Sequence, residues 1–403
     1  MPEPSLSSVA GFRRLIASRF ISNISKQIRM LVVMWQVWEI THRPLMLGYV
    51  GLAEGIPFIA ASFFSGHFVD RHEKKKLILL SLTGAALASA GLVYVSRLST
   101  PSLPAIYLLL GFTALCSSLE MPSASTYLQT IVSREIFSKA AAWNLTSYVS
   151  ATILGPILSG FLIARYGAPA VYALSMAGAF TAFAIAAGLP KLPALPPKQN
   201  ESTIAGVADG LRFVLSKKII FASMAIDSVA VLFGEVVFIL PVYADRLGAG
   251  PIGLGFLRAA PAVGSCLVSV IEAVRPTIKI RWDWLVRAVG TFGLALLIFG
   301  ISRYFPLTFL MLLVGGAADG TSVIIRQSLY QAHTPDAYRG RVASVSGIFI
   351  STSNEIGGFE SGLAAQLMGT VPSVIMGAAI TLLTVAVMHF KYHGLDQRTA
   401  NEG

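Results

Sequence analysis

The chain has 403 residues, 54% of them hydrophobic and only 13% charged, and its 31 Lys and Arg against 20 Asp and Glu give a net charge of +11. A mean hydropathy of +0.69 excludes a water-soluble globular domain of ordinary composition and points to a polytopic membrane protein. The cations form no basic stripe interleaved with aromatics, so nucleic acid is excluded as an expected partner.

In chain order, apolar runs able to cross a bilayer as helices occupy residues 15–38, 46–69, 77–97, 104–131, 141–165, 168–189, 219–243, 251–273, 284–302, 306–331, 343–367 and 371–391. The first run carries Arg19, Lys26 and Arg29 and has no small-residue cleavage site, so a retained helix is expected rather than a cleaved signal peptide. If both termini lie in the cytoplasm, 22 of the 31 Lys and Arg fall on the cytoplasmic side and 5 on the outer side. The positive-inside rule then sets the orientation. Cys116 and Cys266 fall in mid-span and read as buried thiols.

Between the second and third runs, Gly66-His67-Phe68-Val69-Asp70-Arg71-His72-Glu73-Lys74-Lys75-Lys76 packs a dense charge knot into a tight turn. Asp70 is placed to accept hydrogen bonds from a helix start or a neighbouring Arg, and Gly66, Asp70, Arg71, Lys74 and Lys75 are candidates for a conformational latch. The longest polar stretch, 190–218, begins Pro-rich and stiff. Its residues 204–215 suit an amphipathic helix lying along the membrane. It separates six runs from six, giving an N-terminal bundle at 1–189, a linker at 190–218 and a C-terminal bundle at 219–403. The halves echo each other: Gly155, Ser159, Gly160 and Gly167 recur as Gly357, Ser361, Gly362 and Gly369, each displaced by 202 residues, as a duplicated six-helix unit would produce.

Several of these motifs carry a family resemblance. The Gly66 to Lys76 turn resembles the loop signature of the major facilitator superfamily, at the place it takes in that family. Gly155-Pro156-Ile157-Leu158-Ser159-Gly160 looks like the Gly-Pro signature of its antiporters, with Ser159 where a Gly is usual. Pro335 to Val342, Ser353 to Gly357 and Glu360-Ser361-Gly362 are similar to the enterobactin-exporter-like, drug-efflux branch. The resemblance implies an all-α membrane protein of twelve helices in two six-helix bundles, related by a pseudo-two-fold axis, around a central cavity that opens to each side in turn. The fourth run offers Glu120 and Pro122 but no embedded Arg, a departure from any proton-relay Arg there.

Charge inside the spans points to transport independently. A charged side chain at mid-membrane costs about 2.5–3.5 kcal/mol on insertion scales, so such residues face a partner or a wet cavity. The acids are Glu54, Glu120, Asp227, Glu235, Asp319, Glu355 and Glu360; the bases are Lys26, Arg29, Arg258 and Arg326. Lys26, Arg29, Glu54, Glu120, Asp227, Glu235 and Glu355 are the candidates for a substrate and proton cavity. In the first run Asn23, Lys26, Gln27 and Met30 make a polar stripe, and in the seventh Asp227 and Glu235 sit about 80° apart on a helical wheel. Lys26 is expected to pair with Asp227 or Glu235 in one state, with Asp227 the first choice for carrying protons and Glu235 or Glu355 next. Asp319 and Arg326, seven residues apart on one helical face, read as a structural charge pair. Pro57, Pro122, Pro156 and Pro241 lie inside runs and are candidate kinks.

Other chemistry finds no support in the sequence. His389 and His393 have i, i+4 spacing but no third ligand, and read as surface histidines rather than a metal pair. No Walker motif and no Gly-x-Ser-x-Gly is present, so no nucleotide hydrolysis, no cofactor and no enzyme activity are expected. The expectation is a monomeric secondary transporter in a bacterial inner membrane, exporting a small siderophore-like or drug-like molecule against protons. Facilitator-fold import, lipid flipping or metal-ion transport is the alternative, and a membrane-embedded sensor or enzyme is the reading from another class.

Overall fold

A computed structural model describes Leu6 and residues 9–192 and 203–392, and among these every regular element is a helix. In chain order they are α1 (Phe12–Thr41), α2 (Pro44–Arg71), α3 (Lys74–Ser96), α4 (Leu103–Ile131), α5 (Phe137–Ala187), α6 (Thr203–Ser216), α7 (Lys218–Gly234), α8 (Leu240–Arg246), α9 (Gly250–Val274), α10 (Trp282–Ile301), α11 (Phe305–His333), α12 (Asp336–Met368) and α13 (Thr370–Tyr392). Nine stretches among the described residues are long and apolar enough to cross a membrane, with the 51-residue α5 counted once. Gly167 breaks α5 into two spans at φ 75°, a backbone region that side chains other than glycine's avoid. α1 and α12 lie outside the nine because each carries several charges, and they complete the twelve passages of a two-bundle membrane fold. Large apolar side chains such as Leu108 (75% exposed) and Phe390 (82%) face outward, which suits hydrocarbon as the surrounding solvent.

The seventh span differs from the unbroken helix expected over 219–243. Helix α7 stops at Gly234, Glu235 is extended, a 3₁₀ turn follows at Val237–Ile239, and Pro241 stands in the first turn of α8. A break inside a membrane strands backbone groups that need partners. Here the Glu235 carboxylate accepts the Val237 N–H at 2.9 Å, and the Glu235 carbonyl accepts the Ser361 hydroxyl. The helical-wheel angle between Asp227 and Glu235 therefore does not hold, and Pro241 opens a helix instead of kinking one.

Contacts between Cα atoms group the chain into two compact units. Unit 1 comprises Met1–His42, Leu52–Lys198 and Ala249–Ala259. Its axis is α1, buried on every face from Ile28 to Trp38 and laid along both arms of α5. Serines stitch the two helices together: Ser18 donates to the Ala182 carbonyl at 2.8 Å, Ser159 to that of Ile28 at 3.1 Å, and Ser175 to that of Ser25 at 2.9 Å. Ser159, the departure from the Gly-Pro signature, thus gains a hydrogen bond that glycine could not make.

Unit 2 comprises Arg43–Gly51, Gln199–Gly248 and Ala260–Gly403. Its core gathers Ile220, Met224 and Ile226 of α7, Trp282 and Leu285 of α10 and Ile325 of α11. Helix α6 forms where an amphipathic helix was expected. It docks on the start of α12, where Phe213 stacks on Tyr338 at 4.6 Å and Asp209 receives Arg341 at 2.5 Å.

The 202-residue echo has a structural counterpart within each unit. Ser159 bonds the α1 carbonyl of Ile28, and its repeat Ser361 bonds the carbonyl of Glu235 after α7. A Cβ on Gly155 would meet Gln27 of α1, and one on Gly357 would meet Leu232 of α7. Gly167 and Gly369 both take positive φ, 75° and 92°, at the turn before the last span of their half.

Candidate functional site

The polar stripe of α1 gathers its partners inside unit 1. Lys26 projects to Glu54 of α2, Nζ to Oε1 3.2 Å, with the two side chains 41% and 21% exposed. One turn from Lys26, Arg29 is buried, and its Nη1 donates to the Ser89 hydroxyl of α3 at 3.4 Å. Glu54 and Glu120 both lie in the field of Arg29. Glu120 of α4 accepts the Ser22 hydroxyl at 2.9 Å. Further along α1, Gln36 accepts the Tyr172 hydroxyl at 2.8 Å. The cluster therefore joins Lys26, Arg29, Glu54 and Glu120 on three neighbouring helices and α3, with an ion pair at its accessible edge. Charges held in a span and not sealed over by protein can exchange partners with a proton or a charged solute.

Unit 2 holds a different arrangement. Arg326 of α11 forms its salt bridge with Asp227 of α7, and the side chains are 5% and 8% exposed. The Ser322 hydroxyl, one turn earlier on α11, accepts from Arg326 Nε at 3.2 Å and fixes the guanidinium plane. One expectation changes here. Arg326 takes Asp227 as its partner in place of Asp319, which stays within its electrostatic reach only. Glu235 spends its carboxylate on the α7 break, and Glu355 is half-buried on α12.

In the loop between α2 and α3 the side chains of Gly66 and Asp70 lie outside the described residues. Arg71 is exposed, Lys74 reaches the His72 carbonyl at 3.2 Å and Lys75 the Leu189 carbonyl at 2.7 Å. Two residues the sequence reading passed over act beside Lys75. Arg14 of α1 donates to the Gly188 carbonyl, and Tyr127 of α4 to that of Pro190 at 2.8 Å. Three consecutive carbonyls past the end of α5 thus each receive a donor from a different helix, two of the donors cationic, as a helix C-terminus favours. His393 lies outside the described residues, and among the described residues no group of three or more His, Cys, Asp or Glu could hold a metal. Cys116 and Cys266 are free thiols.

The family model of the Major Facilitator Superfamily matches residues 15–359. The chain belongs to that superfamily. This facilitator is 27% identical over 400 residues to the enterobactin exporter EntS of Escherichia coli (strain K12), a match covering 96% of this chain and 94% of the relative. It is similar in fold to a POT family transporter in complex with 5-aminolevulinic acid, with a TM-score of 0.75 at 11% identity, covering 96% of this chain and 98% of that one. It is similar also to a D-xylose–proton symporter, with a TM-score of 0.71 at 13% identity over 94% and 96% of the two chains. The superfamily consists of membrane transporters and not enzymes, so the charge cluster of α1, α2 and α4 stands in a transporter. The Gly155, Pro156 and Gly160 signature lies on the arm of α5 against α1. There a Cβ on Gly155 would stand 2.6 Å from Gln27 Cβ, and one on Gly160 2.5 Å from the Pro251 carbonyl.

Proposed function

We propose that this facilitator is a secondary active exporter of a small organic molecule of siderophore-like or drug-like kind, working by alternating access in a bacterial inner membrane with both termini cytoplasmic. It works as a monomer and is driven by counter-movement of protons. The observation that carries the reading is the partly exposed Lys26–Glu54 pair held between two membrane helices. Within the ion pair at 3.2 Å, a cationic or hydrogen-bond-donating group of the solute takes Glu54 from Lys26 on the cytoplasmic side. Protonation of Glu54 from the outer side removes that partner and expels the solute, and loss of the proton to the cytoplasm restores the pair, so proton and solute move in opposite directions. Glu54 thereby takes the proton-carrying role first expected of Asp227, and the sealed Asp227–Arg326 pair becomes a clamp between α7 and α11. Arg29 and Glu120 hold the cluster's field, and Glu355 remains the acid of the second half nearest that role. Export rests on the likeness to the enterobactin exporters and on the Gly155-Pro156 signature. The orientation rests on the sorting of Lys and Arg among the loops, and the loop from Gly66 to Lys75 is the latch whose release accompanies the change of state.

The test has two stages. Comparing the medium of cells with and without the protein should reveal a small organic compound whose release depends on it. Inside-out vesicles containing the protein should then accumulate that compound when their lumen is acidified. Accumulation that ignores the pH gradient would refute proton coupling, and accumulation only in right-side-out vesicles would refute export.

A further inference from the structure

In unit 1 the first turns of α1 and α5 enclose a groove of about 540 Å³ that contains none of the charges of the Lys26–Glu54 cluster. Its size falls in the roughly 300–1,000 Å³ range of small-molecule sites. Phe12, Ile16 and Phe20 from α1 and Trp143 from α5 supply an aromatic and apolar wall. Among the described residues the lining carries one cation, Arg13, and no acid. Arg13 and Trp143 are both exposed, so a guanidinium and an indole stand open at a concave surface.

A second observation points to an occupant. Ser147 lines the groove, is only 8% exposed, and its hydroxyl has no hydrogen-bond partner. Three buried serines of the α1–α5 seam, Ser18, Ser159 and Ser175, each donate to a carbonyl. A buried hydroxyl left unbonded is costly, and an acceptor on a bound molecule removes that cost. Arginine's planar fork matches carboxylate and sulfonate oxygens, and aromatic side chains favour a flat apolar body.

We propose that this groove is a loading site for an amphipathic organic anion, an aryl carboxylate or sulfonate. Its charged group pairs with Arg13, its flat body packs among Phe12, Phe20 and Trp143, and the Ser147 hydroxyl donates to it. The word loading rests on the export reading, which places the starts of α1 and α5 at the cytoplasmic face; the binding chemistry does not.

The experiment is equilibrium dialysis of 8-anilinonaphthalene-1-sulfonate against the full chain in neutral phosphatidylcholine nanodiscs, with empty nanodiscs subtracted. Arg13→Gln and Trp143→Ala alter exposed side chains and leave the helix packing alone. Each should weaken binding about tenfold or more. Arg165→Gln, which removes an exposed cation outside the groove, should leave it unchanged. Equal binding in all these proteins would overturn the proposal, as would an equal loss in Arg165→Gln, which would reduce the effect to general charge attraction. Dialysis involves no gradient and no sidedness, so its result stands whether or not vesicles containing the protein export anything.

Discussion

The Lys26–Glu54 and Asp227–Arg326 pairs share chemistry but not surroundings. Lys26 and Glu54 are 41% and 21% exposed, while Arg326 and Asp227 are 5% and 8% exposed. A pair open to water gains little from its attraction and loses little when parted. A pair sealed in a core is different: parting it strands a charge in a low dielectric, so it holds its helices in one arrangement. The first is suited to repeated opening and the second to staying closed.

The largest expected effect comes from breaking the sealed pair on one side only. Asp227→Leu leaves Arg326 buried without its carboxylate, and Arg326→Met does the converse; each should destabilise the protein by about 3–5 kcal/mol. Thermal unfolding in detergent would register this as a large fall in midpoint. The double substitution, which removes both charges and keeps the volume, should recover most of the loss. Single variants as stable as the parent would erase the contrast between the two pairs.

A smaller effect should be shared by the two repeated glycines. A Cβ on Gly357 would come 2.7 Å from the Leu232 carbonyl and one on Gly155 2.6 Å from Gln27 Cβ, and neither atom can move without its helix backbone. Gly357→Ala and Gly155→Ala should therefore each cost about 1–3 kcal/mol through overpacking. Unfolding midpoints of the two variants measure this directly. A loss in only one of them would mean that the helix facing the other glycine is free to shift.

How much of this was legible in the sequence follows from what a one-dimensional pattern can encode. Span positions, the duplicated half and the list of embedded charges were all readable, because hydropathy and a fixed 202-residue offset do not depend on packing. Partners were not readable. Helical arithmetic placed Asp319 and Arg326 on one face, but seven residues at 1.5 Å rise separate them by about 10 Å along the helix. A salt bridge cannot span that, and the acid that meets Arg326 comes from another helix whose register the sequence does not state. The seventh span read as continuous because Glu235 and Pro241 are two residues in a strongly apolar run. Only the hydrogen bonds from Val237 and Ser361 to Glu235 show that the break is built. The carbonyl clamp of Arg14, Lys75 and Tyr127 past α5 left no pattern at all, since its members come from three helices.

The smallest effect belongs to the partly exposed Arg341–Asp209 pair that joins α6 to α12. Arg341→Gln removes the partner of Asp209, whose side chain is 42% exposed, and should cost no more than about 1 kcal/mol. The Phe213–Tyr338 stack keeps α6 in place in that variant. A large loss of stability would show that α6 is held by charge and not by its apolar face.

The claim that the accessible pair couples the protein to protons is tested most directly in proteoliposomes made with Glu54→Gln, using the compound that medium profiling identifies. Glutamine cannot take up and release the proton, so pH-gradient-driven accumulation should disappear, while counterflow exchange of the compound, which needs no net proton movement, should continue. Full gradient-driven accumulation by Glu54→Gln would contradict the account and return the proton-carrying role to an acid of the other half.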